Sequence, residues 1–156
     1  MEIREAKTEE AEKISKELWL PLAREMEEVS GYNQLKEDID VQEVIEHKRD
    51  KIDGEEGFFF VAEENGELLG FISGKVKESA PVFSRGEKLK VNELFVKEKF
   101  RRKGVASMLL EDVEKKARRR DCSTLELDVN KANKSAQKLY RDRDFETERK
   151  RMVKTL

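Results

Sequence analysis

Asn65 and Gly66 stand between two apolar runs, "FFFVA" before and "LLGFIS" after, and this fixes the middle of the chain more tightly than any other feature. Both central residues of a two-residue type I′ turn need φ > 0, which Asn-Gly supplies at little steric cost. The segment "FFFVAEENGELLGFISGKVKE" therefore reads as a β-hairpin. Around it, "MEIREA" alternates Ile3 with charged neighbours and reads as a short edge strand. "TEEAEKISKELWLPLAREMEEV" reads as a helix capped by Thr8, with Ala11, Ile14, Leu18, Leu22 and Met26 at helical spacing. Pro21 should bend or divide it. After the break "SGYNQ", the stretch "KEDIDVQEVIEHKRDKI" predicts a second amphipathic helix with Ile39, Val41, Val44, Ile45 and Ile52 as apolar contacts.

Beyond the loop "SAPVFSRGE" the order is strand "KLKVNELFVKEKF", a helix opening at Gly104, strand "STLELDVN", helix "KSAQKLYRD", and a last strand near "TERKRMVKTL". Early helices, a central hairpin and a closing β-α-β-α-β run predict a mixed α/β (α+β) domain with antiparallel and parallel pairing. No linker or repeat interrupts it, so residues 1–156 read as a single domain.

Charged residues make up 44% of the chain, with 33 basic against 35 acidic. Balanced signs give a net charge of −2 and argue against a nucleic-acid or membrane-surface partner. One cysteine, Cys122, excludes an internal disulfide, and one histidine, His47, excludes a histidine-rich metal cluster. With no signal-like N-terminus, the expectation is a metal-free cytoplasmic protein.

The basic cluster Arg101, Arg102, Lys103 is placed against a helix mouth, where the macrodipole is already positive. Such a placement calls for an anion. The free N–H groups of a first helical turn bind anions. The small residues Gly104 and Ala106 let one approach the backbone, and Arg and Lys add phosphate-matched donors. The nucleotide-triphosphate loop and the dinucleotide fingerprint both need more glycines than this stretch has. What it matches is Arg-x-x-Gly-x-Ala.

About thirty residues after Gly104 follows Asn133-x-x-Ala136-x-x-Leu139-Tyr140 and then Phe145, and "VNELFV" precedes the basic loop. This linked series, from Val91 to Phe145, resembles the GNAT superfamily of acetyl-CoA-dependent N-acetyltransferases. The resemblance implies a GNAT-like fold, a splayed sheet of six to seven strands flanked by about four helices. The backbone of Leu94, Phe95 and Val96 would pair with the pantetheine arm of acetyl-CoA. Arg101, Arg102, Lys103, Gly104, Val105, Ala106 and Ser107 would hold its pyrophosphate, and Asn133 and Tyr140 would complete the cofactor site. The family usually has Gly-Phe where this chain has Asp144-Phe145. Asp tolerates the left-handed region better than most non-glycine residues.

Acetyl transfer to an amine needs a base for the amine proton and an acid for the departing thiolate. Tyr140 is the expected acid. Asp128 and Glu93 compete as base, level with each other, with Glu126 behind them. Glu93 is expected on the strand face of Val91 and Phe95. A backbone N–H at Phe95 or Val96 would steady the oxyanion. Trp19, Tyr32 and Phe83 are candidates for an acceptor pocket, with core or loop packing the favoured role for Trp19. The acceptor is a protein α-amine, a lysine or a small-molecule amine. The alternative is a catalytically silent acyl-CoA sensor. Homodimers are common in folds of this kind.

Overall fold

The computed structural model describes all residues from Met1 to Leu156. Five strands form one sheet in the order β1 (Glu2–Glu5), β2 (Gly57–Glu64), β3 (Glu67–Lys77), β4 (Lys88–Val96), β5 (Thr124–Leu127). The first four pair antiparallel, and β4 pairs parallel with β5. The β2–β3 turn holds Asn65 at φ 51° and Gly66 at φ 80°, as the Asn-Gly signal requires.

The unbroken apolar runs of β2 and β3 follow from burial on both sheet faces. One face carries Phe59, Val61, Leu68, Phe71 and Phe95 against Ile14 and Leu18. The other carries Phe58, Ala62, Ile72, Leu89 and Val91 against Leu109, Leu110 and Val113 of α4 (Val105–Arg119).

The first helix is one continuous rod of mixed geometry. It comprises a 3₁₀ turn Thr8–Glu10, α1 (Ala11–Ile14), a π-turn Ser15–Trp19, and α2 (Leu20–Val29). Thr8 is not its cap; the helix starts from Lys7, whose N–H donates to the Glu10 carboxylate at 2.9 Å. Pro21 has no N–H and its ring crowds the preceding turn. The rod answers with the wide turn, in which the Leu20 N–H donates to the Ser15 carbonyl, rather than by dividing. α3 (Val41–Asp53) is capped by Asp40, which accepts from the N–H groups of Gln42 and Glu43.

Two expectations are corrected at the far edge of the sheet. No strand forms over residues 146–156, so the sheet has five strands rather than six or seven. Six of those eleven residues are charged and Met152 is 92% exposed, so the segment has no apolar face to bury. β5 also ends at Leu127, because pairing with β4 covers only Lys88–Val91 opposite Thr124–Leu127. From Asn92 to Val96, β4 has no neighbour on that side.

The divergence coincides with a bulge. Ser73 sits opposite Glu93 and Gly74 opposite Val91, which leaves Asn92 as the extra residue. The bulge flips the alternation: Val91 joins the α4 face while Glu93 and Phe95 face the early helices. Glu93 thus shares a face with Phe95 but not with Val91, contrary to simple alternation. Gly74 makes the bulge sterically possible, since a Cβ there would lie 2.0 Å from the Lys90 carbonyl and 2.5 Å from the Phe58 ring. Gly74→Ala should therefore lower the unfolding free energy by roughly 2–3 kcal/mol. Gly86→Ala, where a Cβ meets nothing within 4 Å, should change it little. Urea denaturation of the two variants checks the contrast.

Candidate active site

The open side of β4 is the first element of the site. The Lys97 N–H donates to the Leu69 carbonyl at 2.9 Å. By the alternation of a strand, Phe95 also spends its backbone groups on β3, while Leu94 and Val96 turn theirs outward. The Val96 carbonyl accepts from Arg101 Nε at 2.7 Å on that outer side. Of Phe95 and Val96, only Val96 presents its N–H to the opening, and the Phe95 ring lies buried against the early helices.

The second element is the turn into α4. Arg102 adopts φ 60° and Gly104 φ 82°. Left-handed residues close to helical ones form a concave nest of N–H groups. The backbone N–H groups of Arg102 to Ser107 donate to no backbone acceptor. No atom stands within 4 Å of where a Gly104 Cβ would be, so the nest opens to solvent. Arg102 and Lys103 are exposed and make no ion pair. Arg101 differs: its Nη2 lies 2.6 Å from Glu25 and its guanidinium lies 5.4 Å from the Phe95 ring centroid. It braces the loop against α2 instead of standing free. Val105 contributes its N–H, with its side chain in the core; Ala106 and Ser107 are half-buried.

The third element is α5 (Lys134–Asp142). Asn133 caps it, accepting from the Ala136 N–H at 3.2 Å through Oδ1 and leaving its amide nitrogen for another partner. Tyr140 packs edge-on against Phe145 with ring centroids 5.7 Å apart. The chain beyond is turned by Asp144 at φ 65°, the conformation expected where the family has glycine. Burial pushes the Tyr140 phenol up to about 12, so it remains a proton donor throughout the neutral range.

The first and third elements meet in one cleft of about 170 Å³, lined by Glu93, Leu94, Asp128, Asn133 and Tyr140 together with Leu22, Met26 and Val29 of α2, and the turn into α4 lies outside its lining. The two competing carboxylates are thus neighbours, but their surroundings differ. Glu93 Oε1 accepts from Lys48 Nζ at 3.2 Å and Ser73 Oγ at 3.1 Å. Its Oε2 accepts from Lys48 at 3.4 Å and from the Trp19 indole. A carboxylate has about four acceptor positions, and all of Glu93's are engaged. Asp128 has a 72% exposed side chain and pairs through Oδ2 with Lys90 at 2.9 Å, which leaves Oδ1 free. Glu126 pairs with Lys88 at 3.2 Å and does not line the cleft. A larger cleft of about 410 Å³ by the α3–β2 turn meets this one at Asn92 and holds none of the expected site residues.

Lys48 was not anticipated. It is 1% exposed and its Nζ lies 4.2 Å from the Trp19 ring centroid. Its position was readable: Val41, Ile45, Lys48 and Ile52 fall at helical spacing on one face of α3. Burial pulls its amine from 10.5 down to about 8, partly offset by Glu93. Cys122 is half-buried, and burial pushes its thiol up, which suits packing and not nucleophilic attack.

A family model described as the Acetyltransferase (GNAT) family matches residues 10–145. An uncharacterized N-acetyltransferase of Bacillus subtilis, YhfO, is 30% identical over 149 residues, covering 94% of this chain and 90% of that protein. A tetramutant of the BH1408 protein of Bacillus halodurans superposes with a TM-score of 0.85 at 17% identity over 100% of both chains. An aminoglycoside N-acetyltransferase, AAC(6')-Iy, solved with a bisubstrate CoA analogue, superposes with a TM-score of 0.78 at 17% identity over 99% of this chain and 97% of that one. The last two share the fold. No helix is long and apolar enough to cross a membrane.

The buried pair generates a testable expectation. Lys48→Met leaves Glu93 without its cation and should cost about 3–5 kcal/mol of unfolding free energy. Adding Glu93→Gln should restore much of that loss. The unfolded chain binds more protons than the native one between about pH 8 and 10.5, because Lys48 is the more acidic in the fold. Stability should therefore gain a positive slope with pH in that window, and Lys48→Met should lack it. Denaturant titrations at several pH values measure both effects.

Proposed function

The chain belongs to the GNAT family of acetyltransferases and is an N-acetyltransferase, and from that membership we propose that it moves the acetyl group of acetyl-CoA directly to a neutral amine, with Asp128 as base and Tyr140 as acid. The observation that carries this reading is the parting of β4 from β5 at Asn92. It frees the outward N–H groups of Leu94 and Val96, and Leu94 lines the cleft that also holds Asp128, Asn133 and Tyr140.

Acetyl-CoA brings the activated thioester when bound. This chain's residues do the rest. The N–H groups of Arg102 to Ser107, with the Arg102 and Lys103 side chains, bind the pyrophosphate. Leu94 and Val96 pair with the pantetheine arm as a strand would, and Asn133 donates its side-chain amide from across the cleft. Asp128 takes the amine proton at its free oxygen, directly or through one water. Tyr140 then gives its proton to the thiolate as the carbon–sulfur bond breaks and the carbon–nitrogen bond is kept. Glu93 is assigned an anchoring role, because Lys48, Ser73 and Trp19 already fill its acceptor positions.

Asp128→Asn and Tyr140→Phe should each lower kcat by about 10²-fold or more, with CoA affinity by calorimetry changed less than threefold. Unchanged kcat in Asp128→Asn would return the base to Glu93. Full CoA binding with no transfer to any amine by the parent protein would favour the silent acyl-CoA sensor.

A further inference from the structure

Every carboxylate in the cleft wall is already matched by a cation of the same chain. Glu25 pairs with Arg101 at 2.6 Å, Glu93 with Lys48 at 3.2 Å, and Asp128 with Lys90 at 2.9 Å. A site built for a polycation presents carboxylates with charge to spare. This one presents three neutralised pairs. Set between them on α2 are Leu22, Met26 and Val29, with Val129 after β5. Met26 is 42% exposed, Val29 40% and Val129 39%, so they form an apolar wall that no element of the fold covers.

We infer that the acceptor is a small monoamine carried on an apolar body, and not a polyamine or an aminoglycoside. The inference rests on the acetyl-transfer reading above and adds the substrate class. A single ammonium reaches the free Oδ1 of Asp128, which lies among the acetyl-transfer residues Asn133 and Tyr140, and is deprotonated there. Its hydrocarbon lies against Leu22, Met26 and Val29 and gains affinity by leaving water. A second or third ammonium would meet no unmatched carboxylate and would be desolvated beside Arg101, Lys48 and Lys90.

The test measures kcat/KM of the intact protein with acetyl-CoA for n-alkylamines from butyl to octyl, 2-phenylethylamine, spermidine and kanamycin. The inference predicts a rise of about fourfold per methylene until the apolar wall is covered, and a preference for hexylamine over spermidine of at least tenfold. In Met26→Asp, which places an unmatched carboxylate on the α2 wall, the spermidine-to-hexylamine ratio should rise about tenfold, with circular dichroism confirming the fold. A preference for spermidine or kanamycin in the parent protein, or no dependence on chain length, overturns the inference while leaving acetyl transfer standing. CoA binding without acetylation of any amine overturns the acetyl-transfer reading, and this one with it.

Discussion

The parting of β4 from β5 at Asn92 is the constraint on which the site depends. A paired strand has no spare N–H and C=O groups, so a sheet can receive an extended ligand only where a neighbour is missing. Here the neighbour is present for four residues, Lys88 to Val91, and then withdrawn. The sheet remains anchored on both sides of the gap, by β3 along the length of β4 and by β5 at its base. The same bulge that accompanies the parting turns Glu93 toward the early helices. It separates two carboxylates that simple alternation leaves equivalent.

What holds the gap in shape is a polar cluster on the helical side of the sheet. Lys48 of α3, Trp19 of the π-turn and Ser73 of β3 come from three separate elements and converge on the Glu93 carboxylate of β4. A buried ion pair gives little net stability over an apolar packing of the same volume, so its worth here is geometric. The cluster fixes the register of α3 and the first helix against the bulge. Arg101 does the same on the opposite flank, tying Val96 to Glu25. The open edge is thus braced at both ends, with the outward N–H groups of Leu94 and Val96 left unpaired by β5.

Much of this was legible in the chain. Asn65-Gly66 placed the hairpin, the apolar runs of β2 and β3 announced burial on both faces, and Gly104 with its basic neighbours marked the anion nest. The linked motifs from Val91 to Phe145 identified the family and brought Tyr140, Asn133 and Asp128 into one cleft. The bulge was not legible, because one extra residue in a strand leaves no local pattern while reversing the side chains that follow. Lys48 was hidden by its charge, although its spacing from Ile45 placed it on the buried face. The roles of Arg101 and Glu93 depended on partners 76 and 45 residues away, which short-range patterns do not register. The last strand was expected from position in the chain and failed because residues 146–156 have too little apolar surface to bury.

One strand edge and one helix mouth bind the CoA thioester together in the proposed site, through the N–H groups of Leu94, Val96 and Arg102 to Ser107. Titrating the ¹⁵N-labelled protein with CoA and following its backbone amide resonances tests this most directly. The proposed site predicts the largest shifts at Leu94, Val96 and Arg102 to Ser107, with Phe95 and Lys97, whose amides face β3, moving far less. Shifts confined to other surfaces, or a silent Arg102–Ser107 turn under saturating CoA, would contradict it.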